Sequence, residues 1–256
     1  MWFFRKKVEL PKGMADLHNH IVPGIDDGAR DMEESLAMLR LFQETGFSTM
    51  VATSHLDHPM FSKVQPSMIC EGVEQLKQRA TQEGLSIELH PGAEVYYGDG
   101  LLEKVQTPAC MTLAGGSYIL IEFPPLDPMP HLKQLAFELS VRGVLPVLAH
   151  PERYEILLDR PQLAKDWVHA GWVLQLDLPS LIDANGKAVR KVAQTLLRQR
   201  LYGLAASDMH HPDPPEALRD SLEALVRYVG DDEAQRLMVD NPHRIIKGKG
   251  IIDFDD

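Results

Sequence analysis

Tyr118-Ile119-Leu120-Ile121-Glu122 lies near the middle of the 256-residue chain and joins two opposed features. Its first four residues are a short apolar run of the kind that fills a parallel strand covered on both faces. Its last residue is an acid, which is expensive to bury without a cation or a hydrogen-bond partner. A strand that ends this way delivers its charged group to the rim of a sheet, where α/β proteins build their sites.

Working outward, the arrangement recurs on both sides. Upstream, Thr49-Met50-Val51-Ala52-Thr53 leads to Ser54-His55, and a strand from Ser86 runs through Pro91-Gly92-Ala93 to Glu94. At the start, Asp16-Leu17-His18-Asn19-His20 carries two histidines at i, i+2, which on an extended chain point to one side and can reach one ion. Downstream, Val144-Leu145-Pro146-Val147-Leu148-Ala149 ends on His150. Trp172-Val173-Leu174-Gln175-Leu176 is a sixth strand, and Gly203-Leu204-Ala205-Ala206-Ser207 is a seventh, ending on Asp208-Met209-His210.

Helical segments separate these strands. Asp31 with Glu34 reads as an N-terminal capping pair, followed by an apolar face of Leu36, Met38, Leu39, Leu41 and Phe42 that stops at Gly46. A second helix is expected from Ser67 to Glu83, a third through Leu132, Leu135, Phe137 and Leu139 up to Gly143, and a fourth from near Pro161. The segment from Lys187 to Arg200 should pack Val189, Val192, Leu196 and Leu197 inward, and two more helices are expected around Glu216 to Val229 and Asp231 to Val239. Strands alternating with helices predict a parallel sheet. An open doubly wound sheet gathers its site at one switch point. Here ligand-type residues fall at nearly every strand end, which is the pattern of a β/α barrel.

Composition narrows the function. The 44% hydrophobic content supports a sizeable core, and no apolar run approaches the ~18 residues of a membrane span. Met1-Trp2-Phe3-Phe4-Arg5-Lys6-Lys7 is aromatic and basic but lacks the centre and cleavage site of a secretory signal. Cys70 and Cys110 form no CxxC and no disulfide framework, so a cytoplasmic location is expected. With 37 acidic against 26 basic residues and no basic stripe, a nucleic-acid partner is not expected. The chain contains no GxGxxG and no GxSxG, which removes the main support for nucleotide-cofactor and serine-hydrolase chemistry.

What remains is the set at the strand ends: His18, His20, His55, Glu94, Glu122, His150, Asp208 and His210, with Asp27 on the first loop. A histidine at a strand end is, taken singly, as often an ordinary core group as a ligand. Imidazole and carboxylate without thiolate suit Mn2+, Zn2+ or Fe2+, and the set exceeds what one ion can use, so two or three ions are implied.

These residues sit in motifs that resemble a known superfamily. Asp16-Leu17-His18-Asn19-His20, the Asp26-Asp27-Gly28 loop, Thr53-Ser54-His55, Gly92-Ala93-Glu94-Val95-Tyr96-Tyr97, Leu120-Ile121-Glu122-Phe123, Ala149-His150-Pro151-Glu152-Arg153-Tyr154 and Ala206-Ser207-Asp208-Met209-His210 occur in order. Together they look like the polymerase and histidinol phosphatase (PHP) superfamily, and within it most resemble the bacterial metal-dependent protein-tyrosine phosphatases of capsule and exopolysaccharide gene clusters. The resemblance implies a distorted (β/α)7 barrel over residues 14–247, between an N-terminal extension (1–13) and a C-terminal tail (248–256). It implies a trinuclear, manganese-preferring site. By similarity, one ion takes His18, His20, Glu94 and Asp208, a second takes Glu94, Glu122 and His150, and a third takes Asp27, His55 and His210.

The implied activity is phosphotyrosine-protein hydrolysis, with a membrane-bound tyrosine autokinase as substrate. Arg153 is expected to clamp phosphate oxygens, and Asp208 or His210 to serve as any general acid. The alternatives are a small-molecule phosphomonoesterase of the histidinol-phosphatase type and, from another class, a noncatalytic metal-binding protein. The chain departs from its relatives in lacking an arginine before Pro214-Pro215, which leaves Arg219 as the candidate second phosphate contact. The loop Leu56-Asp57-His58 also carries less positive charge than relatives often have.

Overall fold

The structure, a computed structural model, describes residues 8–212 and 214–252. Half of the expected N-terminal extension (residues 1–7) and the end of the tail (253–256) lie outside the described residues. Among the described residues nine strand segments form two sheets, one with β1 (Met14–Asp16), β2 (Phe47–Ala52) and β4 (Glu88–Pro91) in the order β1-β2-β4. The other runs β3 (His55–Leu56), β5 (Glu94–Tyr96), β6 (Tyr118–Glu122), β7 (Leu145–Leu148), β8 (Val173–Asp177) and β9 (Tyr202–Ala206). Every strand pairing among these segments is parallel.

The nine segments make seven staves, because β2 continues into β3 and β4 into β5 across short breaks. The ring closes where Asn19, past β1, bridges Met209, past β9. Asp208 N donates to His18 O (2.8 Å) and His20 N to Met209 O (2.9 Å), so first and last staves are joined by main chain. This is the β/α barrel that the strand-end pattern predicts, in the distorted (β/α)7 form that the resemblance implies.

The breaks correct one expectation: Ser86 to Glu94 is not a single strand. Pro91 has no N–H to continue a ladder, and Gly92 packs so closely that a Cβ there would meet Val51 Cγ1 at 2.7 Å. The chain is re-aimed at this point, and His55 and Glu94 become register partners in the second sheet.

Side-chain alternation then fills the barrel from below. Ala15, Leu17, Val51, Tyr118, Leu120, Val147, Val173 and Leu204 form an inner apolar cluster, floored by Leu113 and Ile245. Continuing the period of two along the strands gives Tyr118, Leu120, Glu122 on one stave, Val173, Gln175, Asp177 on another, and Leu204, Ala206, Asp208 on a third. Each column is apolar at the bottom and polar at the top.

Helices cover the outside. The first (Met32–Thr45) begins at Asp31, whose side chain accepts from Glu34 N, and ends at Gly46 in the left-handed region (φ 106°). Leu36, Met38, Leu39, Leu41 and Phe42 are all buried, as are Val189, Val192, Leu196 and Leu197 of the helix Lys187–Arg198. Phe137 is a correction. On the helix Leu132–Val141 it is 61% exposed, because Leu132, Leu135, Ala136 and Leu139 already define the inward stripe and position 137 falls off it. Among the described residues no helix is long and apolar enough to cross a membrane.

Asp16 ties the closure to the core. It is fully buried, and its carboxylate accepts from Ser207 N (2.8 Å), Ser207 Oγ (3.1 Å) and Asn19 Nδ2 (2.9 Å). Asp16→Ala leaves the buried Ser207 N–H unpaired and strips the Asn19 amide of one of its two acceptors, Val51 O remaining. The expected loss is about 2–4 kcal/mol of unfolding free energy in urea titration, and a loss no larger than an ordinary surface substitution would show the seam is held elsewhere.

Candidate metal centre

At the C-terminal mouth of the barrel the columns end in charged groups. Glu94, 1% exposed, is their hub. Its Oε1 lies 3.2 Å from His18 Nε2 and 3.1 Å from His150 Nε2, while its Oε2 lies 3.4 Å from His20 Nε2 and 3.1 Å from His55 Nδ1. Asp208 Oδ1 is 3.1 Å from His18 Nε2 and 3.5 Å from His20 Nε2. Glu122 stands across from His55 (3.7 Å) and His150 (3.9 Å). On the open side, Asp27 Oδ1 is 3.5 Å from both His55 Nε2 and His210 Nε2.

The backbone is bent to achieve this. His150 (φ 32°) and Asp208 (φ 51°) both occupy the left-handed region just past their strands. For residues with a Cβ that conformation costs on the order of 1 kcal/mol or more, and it persists only where surrounding contacts impose it. Here His150 N donates to Gln175 Oε1 (3.2 Å) and Asp208 N to His18 O.

Hydrogen bonds on the far side of each ring fix the near side. His18 Nδ1 donates to Gln175 Oε1 (2.9 Å), His20 Nδ1 to Asp26 Oδ2 (3.0 Å) and His210 Nδ1 to the Asp208 carbonyl (2.8 Å). With the proton on Nδ1, each Nε2 presents a lone pair to the cluster, the arrangement that orients metal-binding imidazoles. Sequence reading named His18, His20 and His210 but missed Gln175 and Asp26. A polar residue inside the run Trp172 to Leu176, and the acid preceding Asp27, were the available signals.

The donor set fits divalent cations. His18 Nε2, His20 Nε2, His55 Nδ1, Glu122 Oε2 and Asp208 Oδ1 are buried without a hydrogen-bond partner, although oppositely charged groups stand close by. Groups that miss alignment with one another while converging are aimed at a shared third point. Four sets have ligand atoms within 4.8 Å of one another: His18, His20 and Glu94; His55, Glu94 and Glu122; His18, His150 and Asp208; and His20, Asp27, His55 and His210. All nine residues expected from the sequence are therefore brought together. The grouping differs from the expected one in detail: His55 joins Glu94 and Glu122, His150 joins His18 and Asp208, and His20 joins the Asp27 set.

Electrostatics show what the carboxylates want. Burial opposes charge on His18, yet Glu94 and Asp208 outweigh it and hold its pKa well above the ordinary value; burial likewise opposes charge on His20, and Asp208, Asp26 and Glu94 raise it. Burial and then Glu94 push Glu122 up to about 8, whereas burial takes His55 down to about 4. Without cations, the cluster recruits protons to neutralise its carboxylates.

Arg153 follows on the short turn Pro151–Arg153 after His150. It is about one-third exposed, and its Nη1 donates to Asp208 Oδ2 at 2.5 Å. Arg219 instead pairs with Glu223 (3.1 Å) along the helix Pro215–Val229.

Comparison with known proteins places the chain in a family. A family model described as capsular polysaccharide synthesis, CpsB/CapC, matches residues 14–247. The tyrosine-protein phosphatase CpsB of Streptococcus pneumoniae is 31% identical over 239 residues, covering 91% of this chain and 98% of the relative. The tyrosine-protein phosphatase YwqE of Bacillus subtilis is 33% identical over 199 residues, 77% and 78% of the two chains. A solved structure from work on YwqE and S. pneumoniae CpsB, described there as metal-dependent tyrosine phosphatases, superposes with a TM-score of 0.87 at 28% identity, over 94% of this chain and 97% of the other. A lactonase from Listeria monocytogenes, at 15% identity and a TM-score of 0.58, shares the fold alone.

Two outcomes are expected. Gln175→Leu removes the group that fixes His18 and should weaken metal affinity about 10–100-fold by competition with a chelating dye, with the fold intact by circular dichroism. The second concerns pH. His18 and His20, raised above 6.5, stabilise the metal-free fold fully below that value and less as pH rises through their folded pKa values. Cations must displace those protons, so binding weakens on acidification. The gain in Tm on adding Mn2+ should shrink from about pH 8 to about pH 5, and a gain independent of pH would remove the histidines from the site.

Proposed function

Since the chain belongs to the CpsB/CapC family, we propose that it is a cytoplasmic metal-dependent phosphotyrosine-protein phosphatase using Mn2+ at the nine-residue cluster, and that its natural substrate is a membrane-bound tyrosine autokinase of capsule or exopolysaccharide synthesis. The observation that carries this reading is the convergence of orphaned imidazole and carboxylate atoms around Glu94 with Arg153 beside them. Capsule-synthesis relatives that are tyrosine phosphatases support the substrate class.

His18, His20, Asp27, His55, Glu94, Glu122, His150, Asp208 and His210 would hold the cations. When bound, divalent cations supply Lewis-acid stabilisation of phosphoryl oxygens and lower the pKa of water to near neutrality. The chain's own residues do the rest. Arg153, steered by Asp208 Oδ2, presents its guanidinium to the phosphate dianion and can clamp two of its oxygens. Gln175 and Asp26 keep the imidazole rings in one tautomer and one orientation throughout the cycle. Phenolate leaves more readily than alkoxide, so the demand on a general acid is small. Where a general acid is used, Asp208 or His210 is the nearest candidate, although both are already engaged in the cation cage.

The reading is tested by phosphate release from a phosphotyrosine peptide, with histidinol phosphate as the competing substrate. Mn2+-loaded protein should exceed the metal-free control on the peptide, and preference for histidinol phosphate would move the assignment to a small-molecule phosphomonoesterase. Arg153→Ala should lower kcat/KM about 10²–10³-fold while metal content by mass spectrometry stays at the wild-type level. Lost metal instead would make Arg153 a support of Asp208 rather than a substrate clamp.

A further inference from the structure

The mouth of the barrel is chemically two-sided. Arg153 and His210 stand past the fifth and seventh staves, whereas the side formed by the second and third carries aromatic rings without charge partners of their own. The His58 ring centroid lies 4.6 Å from that of His55 and 4.6 Å from that of Tyr96, which meets it edge-on at 78°. Phe61 stacks on His55 at 5.1 Å and 10° and stands 5.2 Å from His58. His58, Phe61 and Tyr96 are all half-buried, so each keeps some surface accessible.

The strand period sets the height of this wall. Glu94 and Tyr96 are two apart on β5, so they share the inward face, with Tyr96 about 7 Å further out. Tyr96 is also the register partner of Glu122. A group held above Glu94 therefore stands level with Tyr96 and Glu122, with His58 packed against the Tyr96 ring on the side away from Arg153. Tyr96 further borders an open groove of about 290 Å³, shared with Asp57, Pro59, Tyr97, Leu101 and Lys104, so the wall is reachable from solvent.

Resting on the phosphatase reading above, we propose that His58, Phe61 and Tyr96 form a seat for the aromatic ring of the ester, so that this side of the mouth selects aryl over alkyl phosphates. The phosphate points toward Arg153 and the leaving aryl group lies against Tyr96 and His58, edge-on or offset as π faces prefer. Serine, threonine and sugar phosphates present no aromatic ring and leave the wall without a stacking partner.

The test compares kcat/KM for phosphotyrosine and phosphoserine peptides of the same sequence, together with calorimetric binding of phenylphosphonate and methylphosphonate. Tyr96→Ala should lower the tyrosine-to-serine ratio about tenfold and reduce the preference for phenylphosphonate by a similar factor. Tyr96→Phe should keep both, because the ring and not the hydroxyl is used. His58→Ala should act in the same direction as Tyr96→Ala. A Tyr96→Ala protein with normal metal content whose ratios equal wild type overturns the seat, as does an equal fall for both esters, which is what a merely structural role would give. Wild-type protein that hydrolyses neither ester defeats the phosphatase reading instead. The seat is then judged on the phosphonates, and phenylphosphonate bound no tighter than methylphosphonate overturns it.

Discussion

One buried carboxylate organises this protein. Glu94 has an imidazole within 3.4 Å on four sides, two at each oxygen, and almost no contact with water. Such a group is tolerable only when its charge is met, and the four histidines come from three staves, His18 and His20 past the first, His55 on the second and His150 past the fifth. The break between β4 and β5 that turns Glu94 inward, the left-handed turn at His150 and the closure at His18 and His20 all serve to surround it. Remove the carboxylate and the reason for these local departures from regular barrel geometry disappears.

The interior divides along the strands. Below, Tyr118, Leu120, Val147, Val173 and Leu204 pack as an apolar layer; above, the staves of Leu120, Val173 and Leu204 pass to Glu122, Gln175 and Asp208 within two or four residues. The apolar floor keeps water away from the charged layer on one side, and this strengthens every electrostatic interaction there. On the mouth side Asp27, His210 and Arg153 are the more exposed members.

Much of this was readable from residue order, for a physical reason. A strand buried on both faces must be apolar, so an acid or histidine at its end is conspicuous, and that signal located His55, Glu94, Glu122, His150, Asp208 and both histidines of Asp16–His20. What periodicity could not show was where a strand breaks, because Pro91-Gly92 looks compatible with an extended run until the packing of Gly92 on Val51 is known. It could not assign ligands to individual clusters either, since grouping depends on distances across the barrel. Gln175 was hidden for a related reason: an uncharged side chain inside a strand gains its meaning only from His18, 157 positions away. Phe137 misled because composition alone does not say which of several apolar residues on a helix face inward.

The seam between the first and last staves also orders events in time. Asp16 meets Ser207 across 191 positions, and Asn19 meets Met209 across a comparable span. During synthesis from the N-terminus, the strand bearing His18 and His20 is made early but has no final neighbour on one edge until nearly the whole chain has emerged. Its unpaired edge is then open to other chains, the usual hazard of late-closing parallel sheets. The same seam supplies Asp208 and His210, so the full ligand set exists only on a finished, closed barrel. With these residues as the proposed cation ligands, loading would act as a check on completion: a truncated or misclosed chain would lack part of the cage, and the free energy of ion binding would accrue to the correctly closed molecule.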